Sequence, residues 1–134
     1  MQFKLVLFIL FCFVAFCAPA PRLVKDPNHD EVYFIIDGKR NWIQNPTSLY
    51  NLVDTWDRVS IIPNTGIYPV GPRIDVNAQL VKRADQVQIY LVQYGVKRWV
   101  KTAEIFESLG LSWAKVVVLP PLILEQFKNG PEIL

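Results

Sequence analysis

The chain has 134 residues, with 14 basic residues, 12 acidic residues, one histidine and two cysteines. Lys4, Cys12 and Cys17 all precede residue 20, so the remainder holds 13 basic residues (14 − 1 = 13), 12 acidic residues and no cysteine. This balance excludes the clustered basic face by which nucleic-acid-binding domains hold phosphates. The remainder has the size of one domain and has to fold without disulfides, on apolar packing or association.

Residues 1–20 have the layout of a cleaved secretory signal. Lys4 supplies a positive charge, residues 5–16 are an unbroken apolar run, and the small residues Ala18 and Ala20 suit cleavage. The apolar run is shorter than the roughly 20 residues that cross a bilayer. We therefore predict a secreted, extracellular protein without a membrane span after signal cleavage.

The rest of the chain repeats itself. Gly38 matches Gly95 at an offset of 57 positions (95 − 38 = 57). The same offset relates Trp42 to Trp99, Trp56 to Trp113 and Pro63 to Pro120. Near the end the offset becomes 59, because Gly71 matches Gly130 (130 − 71 = 59). We therefore predict two tandem repeats, residues 21–77 and residues 78–134, that form one compact domain.

Each repeat begins with a hairpin signal. Residues 32–36 are a β-branched and aromatic run, Asp37-Gly38 is a favoured two-residue turn, and residues 39–43 lead away from it. Tyr94-Gly95 takes the turn position in the second repeat, where tyrosine is less suited to a positive φ. A two-residue loop fixes the register of the paired strands. The directly opposed pairs predicted by this register include Tyr33 with Trp42 and Tyr90 with Trp99.

A short helix and a strand follow each hairpin. The predicted helices cover residues 46–53, 102–109 and 122–128, with Thr102 as the cap of the second. The predicted strands cover residues 58–62 and 115–119, and a proline that cannot continue a ladder follows each strand. The predicted fold class is α+β, mainly β, with two tandem repeats of β-hairpin, short helix and strand packed on each other.

The matched positions resemble a repeat that is common in bacterial secreted and cell-surface proteins. The fullest copy is IYLVQYGVKRWV, Ile89 to Val100, continued by FESLGLSW over residues 106–113. The resemblance implies an extracellular location and modular use, and it carries no catalytic activity over to this chain. The first copy departs from the pattern, since Asn41 stands where the second copy has Arg98.

No residues form a recognisable catalytic motif. His29 is the single histidine, and no serine has the motif context of a nucleophile, so we interpret His29 as a solvated loop residue. Asp54 and Asp57 could suggest the carboxylate pair of a glycosidase. The second repeat has Leu111 and Ala114 at those positions, which favours ordinary loop carboxylates.

A metal or cofactor site is not predicted either. His29, Asp30 and Glu31 follow one another, with Asp26 nearby, but adjacent residues of an extended chain point in opposite directions. The chain also lacks a second ligand group with the spacing of a metal site. We therefore predict a protein that is not an enzyme and that needs no cofactor.

The hairpins provide a candidate ligand-binding face. Strand alternation places on one side Tyr33, Arg40 and Trp42 of the first hairpin and Tyr90, Lys97 and Trp99 of the second. An aromatic pair beside a cation suits a sugar ring. The alternative is that these aromatic pairs are buried and serve hairpin stability, at about 0.2–1 kcal/mol for each pair. Trp56 and Trp113, which precede short strands, are expected in the core.

Three functions of different classes follow from these features. The first, which we favour, is a secreted recognition module for a carbohydrate or a cell-surface protein, with two sites that give avidity. The second is a structural or matrix protein in which the repeat is only a packing unit and residues 115–119 form an exposed edge strand. The third is a secreted inhibitor or effector that presents the proline-stiffened loop of residues 119–122. The oligomeric state is left open.

Overall fold

The computed structural model describes residues 20–134. Apart from Ala20, the predicted signal sequence lies outside these residues, as do Cys12 and Cys17. The described residues form nine strands in two sheets and three short α-helices, which confirms the predicted mainly β, α+β fold class. Within residues 20–134, no helix has the length and the hydropathy to cross a bilayer.

The first sheet has the strand order β3-β2-β1-β4. Its strands are β1 (Leu23–Lys25), β2 (Val32–Ile36), β3 (Lys39–Ile43) and β4 (Ser60–Ile61). β1 pairs antiparallel with β2 and parallel with β4. Helix α1 (Pro46–Tyr50) follows β3, and single 3-10 turns at Trp56–Arg58 and Thr65–Ile67 flank β4.

The second sheet has the strand order β8-β5-β6-β7-β9. Its strands are β5 (Gln79–Lys82), β6 (Ile89–Gln93), β7 (Val96–Val100), β8 (Val116–Val118) and β9 (Lys128–Asn129). Helix α2 (Ala103–Ser108) follows β7, a 3-10 turn at Trp113–Lys115 leads into β8, and helix α3 (Pro121–Glu125) separates β8 from β9. The antiparallel and parallel pairings of β1 recur in β5.

Strands β1 and β5, each of which lies between two other strands of its sheet, are absent from the sequence-based prediction. Val24 pairs with Ser60 in the first sheet and Val81 pairs with Val117 in the second, at positions 57 residues apart (81 − 24 = 57 and 117 − 60 = 57). Strands of three or four residues are too short to show an alternating pattern. Their place in the sheets is set by pairing with distant segments.

The predicted register is confirmed in both hairpins, with Tyr33 opposite Trp42 and Tyr90 opposite Trp99. Asp37 and Tyr94 adopt positive φ angles of 58° and 53°, each followed by a glycine that also has a positive φ. The Tyr94 turn is held by tertiary contacts that its sequence does not reveal. The amide of Tyr94 donates to Asp75 Oδ2 (2.9 Å), and its hydroxyl donates to the carbonyl of Arg73 (2.7 Å).

Helices and late strands are shorter than predicted. Helices α1 and α2 end at Tyr50 and Ser108. The cap prediction is confirmed, because Thr102 Oγ1 accepts from the amide of Ile105 (3.2 Å). The first residue of each predicted late strand, Arg58 or Lys115, is instead the last residue of a compact 3-10 turn.

The proline-rich segment of residues 119–122 connects β8 to α3. Pro121 is the first residue of α3, where proline fits because no amide donor is needed. Leu119 packs against the small apolar cluster of Val81, Val92 and Leu124. The segment therefore consists of the two residues after β8 and the first two residues of α3.

The two sheets share one hydrophobic core. Leu23 and Phe34 of the first sheet and Leu80 and Phe106 of the second repeat are among the buried residues of a single cluster. Backbone contacts join the halves as well, since the amide of Ser112 donates to the carbonyl of Leu52 (2.8 Å). Folding of either half therefore depends on apolar surface that the other half supplies.

Candidate ligand-binding clefts

The predicted binding faces of the hairpins point away from the shared core. The opposite face of the first hairpin carries Phe34 and Ile43, which are buried in that core. The six predicted site residues are all half-buried, namely Tyr33, Arg40, Trp42, Tyr90, Lys97 and Trp99. They are thus neither in the core nor fully open to solvent.

Arg40 holds a neighbouring chain segment in place. Its guanidinium carbon lies 5.7 Å from the centroid of the Tyr33 ring, within the range of a cation–π contact. Its Nη1 atom donates to the carbonyls of Thr65 (3.2 Å) and Tyr68 (3.0 Å). Three contacts fix the guanidinium, and the remaining donors stay available at its edge.

Lys97, at the equivalent place in the second hairpin, has a similar structural role. Its Nζ donates to the carbonyl of Phe127 (2.8 Å), which follows α3. Tyr90 packs against the small cluster formed by Val81, Val92 and Leu124. These two predicted site residues thus hold the C-terminal segment against the second sheet.

The expectation that Trp56 and Trp113 lie in the core is wrong. They are 43% and 52% exposed. Each lies in a 3-10 turn at the surface and rests on the preceding helix. Trp113 stacks on Phe106 with ring centroids 3.9 Å apart, and Trp56 meets Tyr50 edge-on at 6.2 Å. Trp113 therefore covers one face with Phe106, Trp56 has an edge-on contact, and both rings remain accessible to solvent.

The exposed tryptophans form clefts together with the hairpin tryptophans. In the first cleft, Trp42 and Trp56 line a space of about 340 Å³, and in the second cleft Trp99 and Trp113 line a space of the same volume. The four tryptophans of the chain are thereby all accounted for. Sequence reasoning found Trp42 and Trp99 but missed Trp56 and Trp113, although all four match at the offset of 57.

The two clefts correspond residue by residue. The first cleft is lined by Asp30, Glu31, Val32, Trp42, Ile43, Gln44, Asn45, Pro46 and Trp56. The second cleft is lined by Val87, Gln88, Ile89, Trp99, Val100, Lys101, Thr102, Ala103, Phe106 and Trp113. Apart from Phe106, each residue of the second cleft lies 57 positions after a residue of the first (87 − 30 = 57 and 113 − 56 = 57). One local structure therefore forms both clefts.

The helix caps give each cleft a defined edge. Asn45 Oδ1 accepts from the amide of Ser48 (2.9 Å) at the start of α1, and Thr102 does the same for α2. In the second cleft the Trp113 indole is also fixed at its edge, because Nε1 donates to Glu107 Oε1 (2.6 Å). A cleft whose walls are already fixed loses little entropy when it binds a ligand.

The rims of the two clefts differ in charge. Asp30 and Glu31 border the first cleft, where the second has the uncharged Val87 and Gln88. Within residues 20–134, neither Asp30 nor Glu31 takes part in an ion pair. In the second cleft Lys101 replaces Gln44, and its Nζ lies 3.2 Å from Glu132 Oε2. The first cleft is therefore acidic, and the second is close to neutral.

A third depression adjoins the first cleft and brings together three predicted site residues. Tyr33, Arg40 and Trp42 line this depression of about 290 Å³, which we call the hairpin cleft. Its other lining residues are Glu31, Val70, Gly71 and Arg73. Trp42 and Glu31 belong to both spaces, so the first cleft and the hairpin cleft lie on either side of them.

The residues considered for metal binding and hydrolysis have other contacts. His29 is exposed, and its Nδ1 lies 3.3 Å from Asp26 Oδ1. The amide of Asn28 donates to Asp26 (2.8 Å), and this bond is the main reason that the pKa of Asp26 is lowered. Asp54 accepts a hydrogen bond from Ser112 Oγ across the two repeats. Among the described residues, no three histidine, cysteine, aspartate or glutamate side chains are grouped to hold a metal ion.

The chain matches no protein-family model, and no curated protein matches it in sequence. It is similar to a chain of the intact ESX-5 inner membrane complex, with a TM-score of 0.33 and 9% identity over 99% of this chain and 40% of that chain. It is also similar to a chain of the periplasmic assembly from the same complex, with a TM-score of 0.30 and 10% identity over 89% of this chain and 43% of that chain. The chain thus spans less than half the length of these neighbours, and likeness at such TM-scores carries no argument about function.

Proposed function

We propose that the protein is a secreted, non-enzymatic recognition module that binds a carbohydrate or a cell-surface partner in its two tryptophan-walled clefts. The observation that supports this proposal is the repeated exposure of Trp56 and Trp113 opposite Trp42 and Trp99. Burying an indole stabilises a fold by removing apolar surface from water. A small domain without disulfides that twice leaves such surface open has another use for it.

The chemistry of the clefts suits a ring with one apolar face. Indole faces stack on the apolar side of a sugar ring, while hydroxyl groups need hydrogen-bond partners at its edge. Gln44 and Asn45 in the first cleft, with Gln88 and Thr102 in the second, offer amide and hydroxyl groups at the rim. A volume of about 340 Å³ lies at the small end of ligand-binding sites. Each cleft is suited to one ring or a group of similar size.

Two clefts on one domain also favour repetitive ligands. A polymer or a cell surface that offers many copies of the same group can occupy both clefts together, and the second contact then benefits from a high local concentration. Each single contact can be weak in such a system. This property agrees with shallow, solvent-open binding sites.

The test uses the tryptophans themselves as reporters. All four tryptophans line the clefts, so the tryptophan fluorescence of the protein comes only from indoles in the clefts. We expect a ligand selected on a glycan array or from extracellular proteins to change this fluorescence saturably. Trp56→Ala and Trp113→Ala should each weaken binding, whereas Leu122→Ala, on the exposed surface of α3, should not.

The alanine variants of Trp56 and Trp113 can also contradict the proposal. Trp56 and Trp113 are half-exposed, so their alanine variants are expected to keep the fold, which circular dichroism can verify. If ligands bind but are insensitive to both variants, the clefts are not the binding sites. If no glycan and no extracellular protein perturbs the tryptophans, the recognition function itself is wrong.

A structural role by self-association is the second candidate, and the edge of the second sheet favours it. β8 is an edge strand, and Val117 and Val118 on it are 43% and 54% exposed. An apolar edge strand offers unpaired backbone groups to a second strand. Sedimentation should then show concentration-dependent association that Val117→Lys abolishes, and a monomer at high concentration would count against this role.

A further inference from the structure

We infer that the first cleft selects a ligand group carrying an ammonium charge, whereas the second cleft binds a neutral group of the same shape. This inference rests on the proposed function, because it names the ligand class of the same clefts. The two clefts have equal volumes, equivalent tryptophan walls and equivalent lining positions. The lining residues differ most in the charge at the rim, and this difference separates the chemistry of the two clefts.

The acidic rim is specific to the first cleft. Asp30 and Glu31 line it, and both side chains are exposed at its border. The equivalent positions, Val87 and Gln88, carry no charge. Since neither carboxylate is used in an ion pair within the described part of the chain, both charges are available to a ligand.

Among residues 20–134, the two cations near the first cleft form no ion pair with Asp30 or Glu31. Arg40 and Arg73 border the hairpin cleft on the other side of Glu31. Arg40 is held by the carbonyls of Thr65 and Tyr68. Arg73 Nη1 donates to Gln44 Oε1 at 3.4 Å. Gln44 lines the first cleft, so Arg73 offsets part of the negative charge there, whereas Asp30 lines the first cleft and not the hairpin cleft.

Charges around the second cleft are already paired. Lys101 lies 3.2 Å from Glu132, and both side chains are half-exposed. Glu107 accepts from the Trp113 indole and lies 3.8 Å from Arg58 Nη1. The second cleft therefore presents aromatic walls without an uncompensated charge.

An ammonium group gains from both features of the first cleft. The faces of tryptophan attract cations through the ring quadrupole, and a carboxylate nearby adds a Coulomb attraction that is moderate in water. The group can be a quaternary ammonium or the protonated amine of an amino sugar, which share this chemistry. A neutral ring gains only stacking, which both clefts offer.

The test observes each tryptophan separately. The four indole N–H resonances in nitrogen-edited NMR spectra are assigned by single Trp→Phe variants, and the probes are choline, its neutral isostere with carbon in place of nitrogen, and glucosamine. Ionic strength is kept equal throughout, because exposed charges are screened by salt. We expect choline and glucosamine to shift Trp42 and Trp56 at concentrations about three- to tenfold lower than the neutral isostere does. We expect no such preference at Trp99 and Trp113.

Two sets of variants exchange the selectivity. Asp30→Asn with Glu31→Gln should abolish the preference of the first cleft for the cation. Val87→Asp, Gln88→Glu and Lys101→Gln together should create the preference in the second cleft, because these changes copy the rim of the first. Glu125→Gln, an exposed acidic position on α3 outside both clefts, is the control and should change neither.

The results separate this inference from the proposed function. Equal responses of both clefts to choline and its isostere, or a preference that survives Asp30→Asn with Glu31→Gln, would overturn the charge selectivity and leave a recognition module in place. The charge selectivity would also be overturned if none of the three probes shifts any of the four indole resonances. The glycan and protein screens then decide the proposed function by themselves. Choline active and glucosamine inactive at the first cleft would assign the site to quaternary ammonium groups, and the reverse would assign it to amino sugars.

Discussion

Gly110 lies where the two repeats meet, and its replacement by alanine tests that packing directly. The residue follows helix α2 with φ of +70°, a conformation that favours glycine. A Cβ atom at this position would lie 3.0 Å from Leu23 Cδ2 and 3.3 Å from Arg58 Cβ. Leu23 is a buried member of the shared core, so it has little room to move. Gly110→Ala therefore adds a methyl group at a junction that is already filled.

The cost has two parts. The left-handed conformation disfavours alanine by roughly 1–2 kcal/mol. Overpacking in a filled core adds about 1–3 kcal/mol. Gly95→Ala provides the matched control, because Gly95 has φ of +72° and a Cβ there would meet nothing within 4 Å. We therefore expect Gly95→Ala to lose only the first part and Gly110→Ala to lose both.

Urea unfolding of the wild type and both variants, followed by far-ultraviolet circular dichroism, measures the difference in the free energy of unfolding. Stability losses equal within a few tenths of a kcal/mol would refute the close packing of Gly110 on the first repeat. Two separate unfolding transitions in the wild type would refute the shared core, since one cooperative unit unfolds in a single step.

Two further predictions concern polar contacts between the repeats. Arg98 donates to both oxygens of Asp37, and this hydrogen bonding holds the pKa of Asp37 below its ordinary value. Because the folded-state pKa is lowered, the pair stabilises the protein above the unfolded pKa of about 3.9, and this contribution is lost as the pH falls through the folded-state pKa. The Asp37 side chain is 53% exposed, so Asp37→Asn should lower the free energy of unfolding at pH 7 by less than about 1 kcal/mol. The turn should be kept, because Asn-Gly also favours it. The free energy of unfolding of the variant should then fall less than that of the wild type when the pH is lowered. The second prediction is that Ser112→Ala costs about 1–3 kcal/mol in urea unfolding, because Asp54 and the amide of Ala114 both lose a buried partner, whereas Ser108→Ala, which removes one partly buried bond, costs less.

Local sequence rules account for the hairpins and fail for the central strands. A two-residue turn leaves one register, so the Tyr33–Trp42 and Tyr90–Trp99 pairs follow from the sequence. β1 and β5 depend on pairing with strands on both sides, which no local pattern encodes. The turn at Tyr94 also depends on a distant residue, Asp75, which accepts from its amide.

The clefts could be predicted only in part, because burial is a property of the whole fold. Trp56 and Trp113 were expected in the core, but each contacts one aromatic ring of the preceding helix and stays about half exposed. Their exposure depends on the 3-10 turns that shorten the late strands. The equal offset of all four tryptophans was the available signal that they belong to one local structure.

The change of offset from 57 to 59 has a structural explanation. Ile74 donates its amide to the carbonyl of Trp42 (2.9 Å), and Ile133 donates to the carbonyl of Trp99 (2.8 Å), so the pairing at the end of each repeat is the same. The second repeat places α3 between its late strand and this pairing, where the first has a single 3-10 turn at Thr65–Ile67. The additional residues are thus accommodated at the surface, and the sheets keep their arrangement.

Stability and binding divide differently between the two repeats. The core is shared, and contacts such as Asp37 with Arg98 cross from one repeat to the other, so loss of packing in either half lowers the stability of both. Each cleft, by contrast, is lined within one repeat, by residues 30–56 or residues 87–113. A substitution on the rim of one cleft therefore leaves the walls of the other unchanged. Asp30 and Val87 occupy equivalent positions at the borders of the two clefts, and neither is part of the shared core. The clefts can therefore differ in charge without any change in the residues of the core.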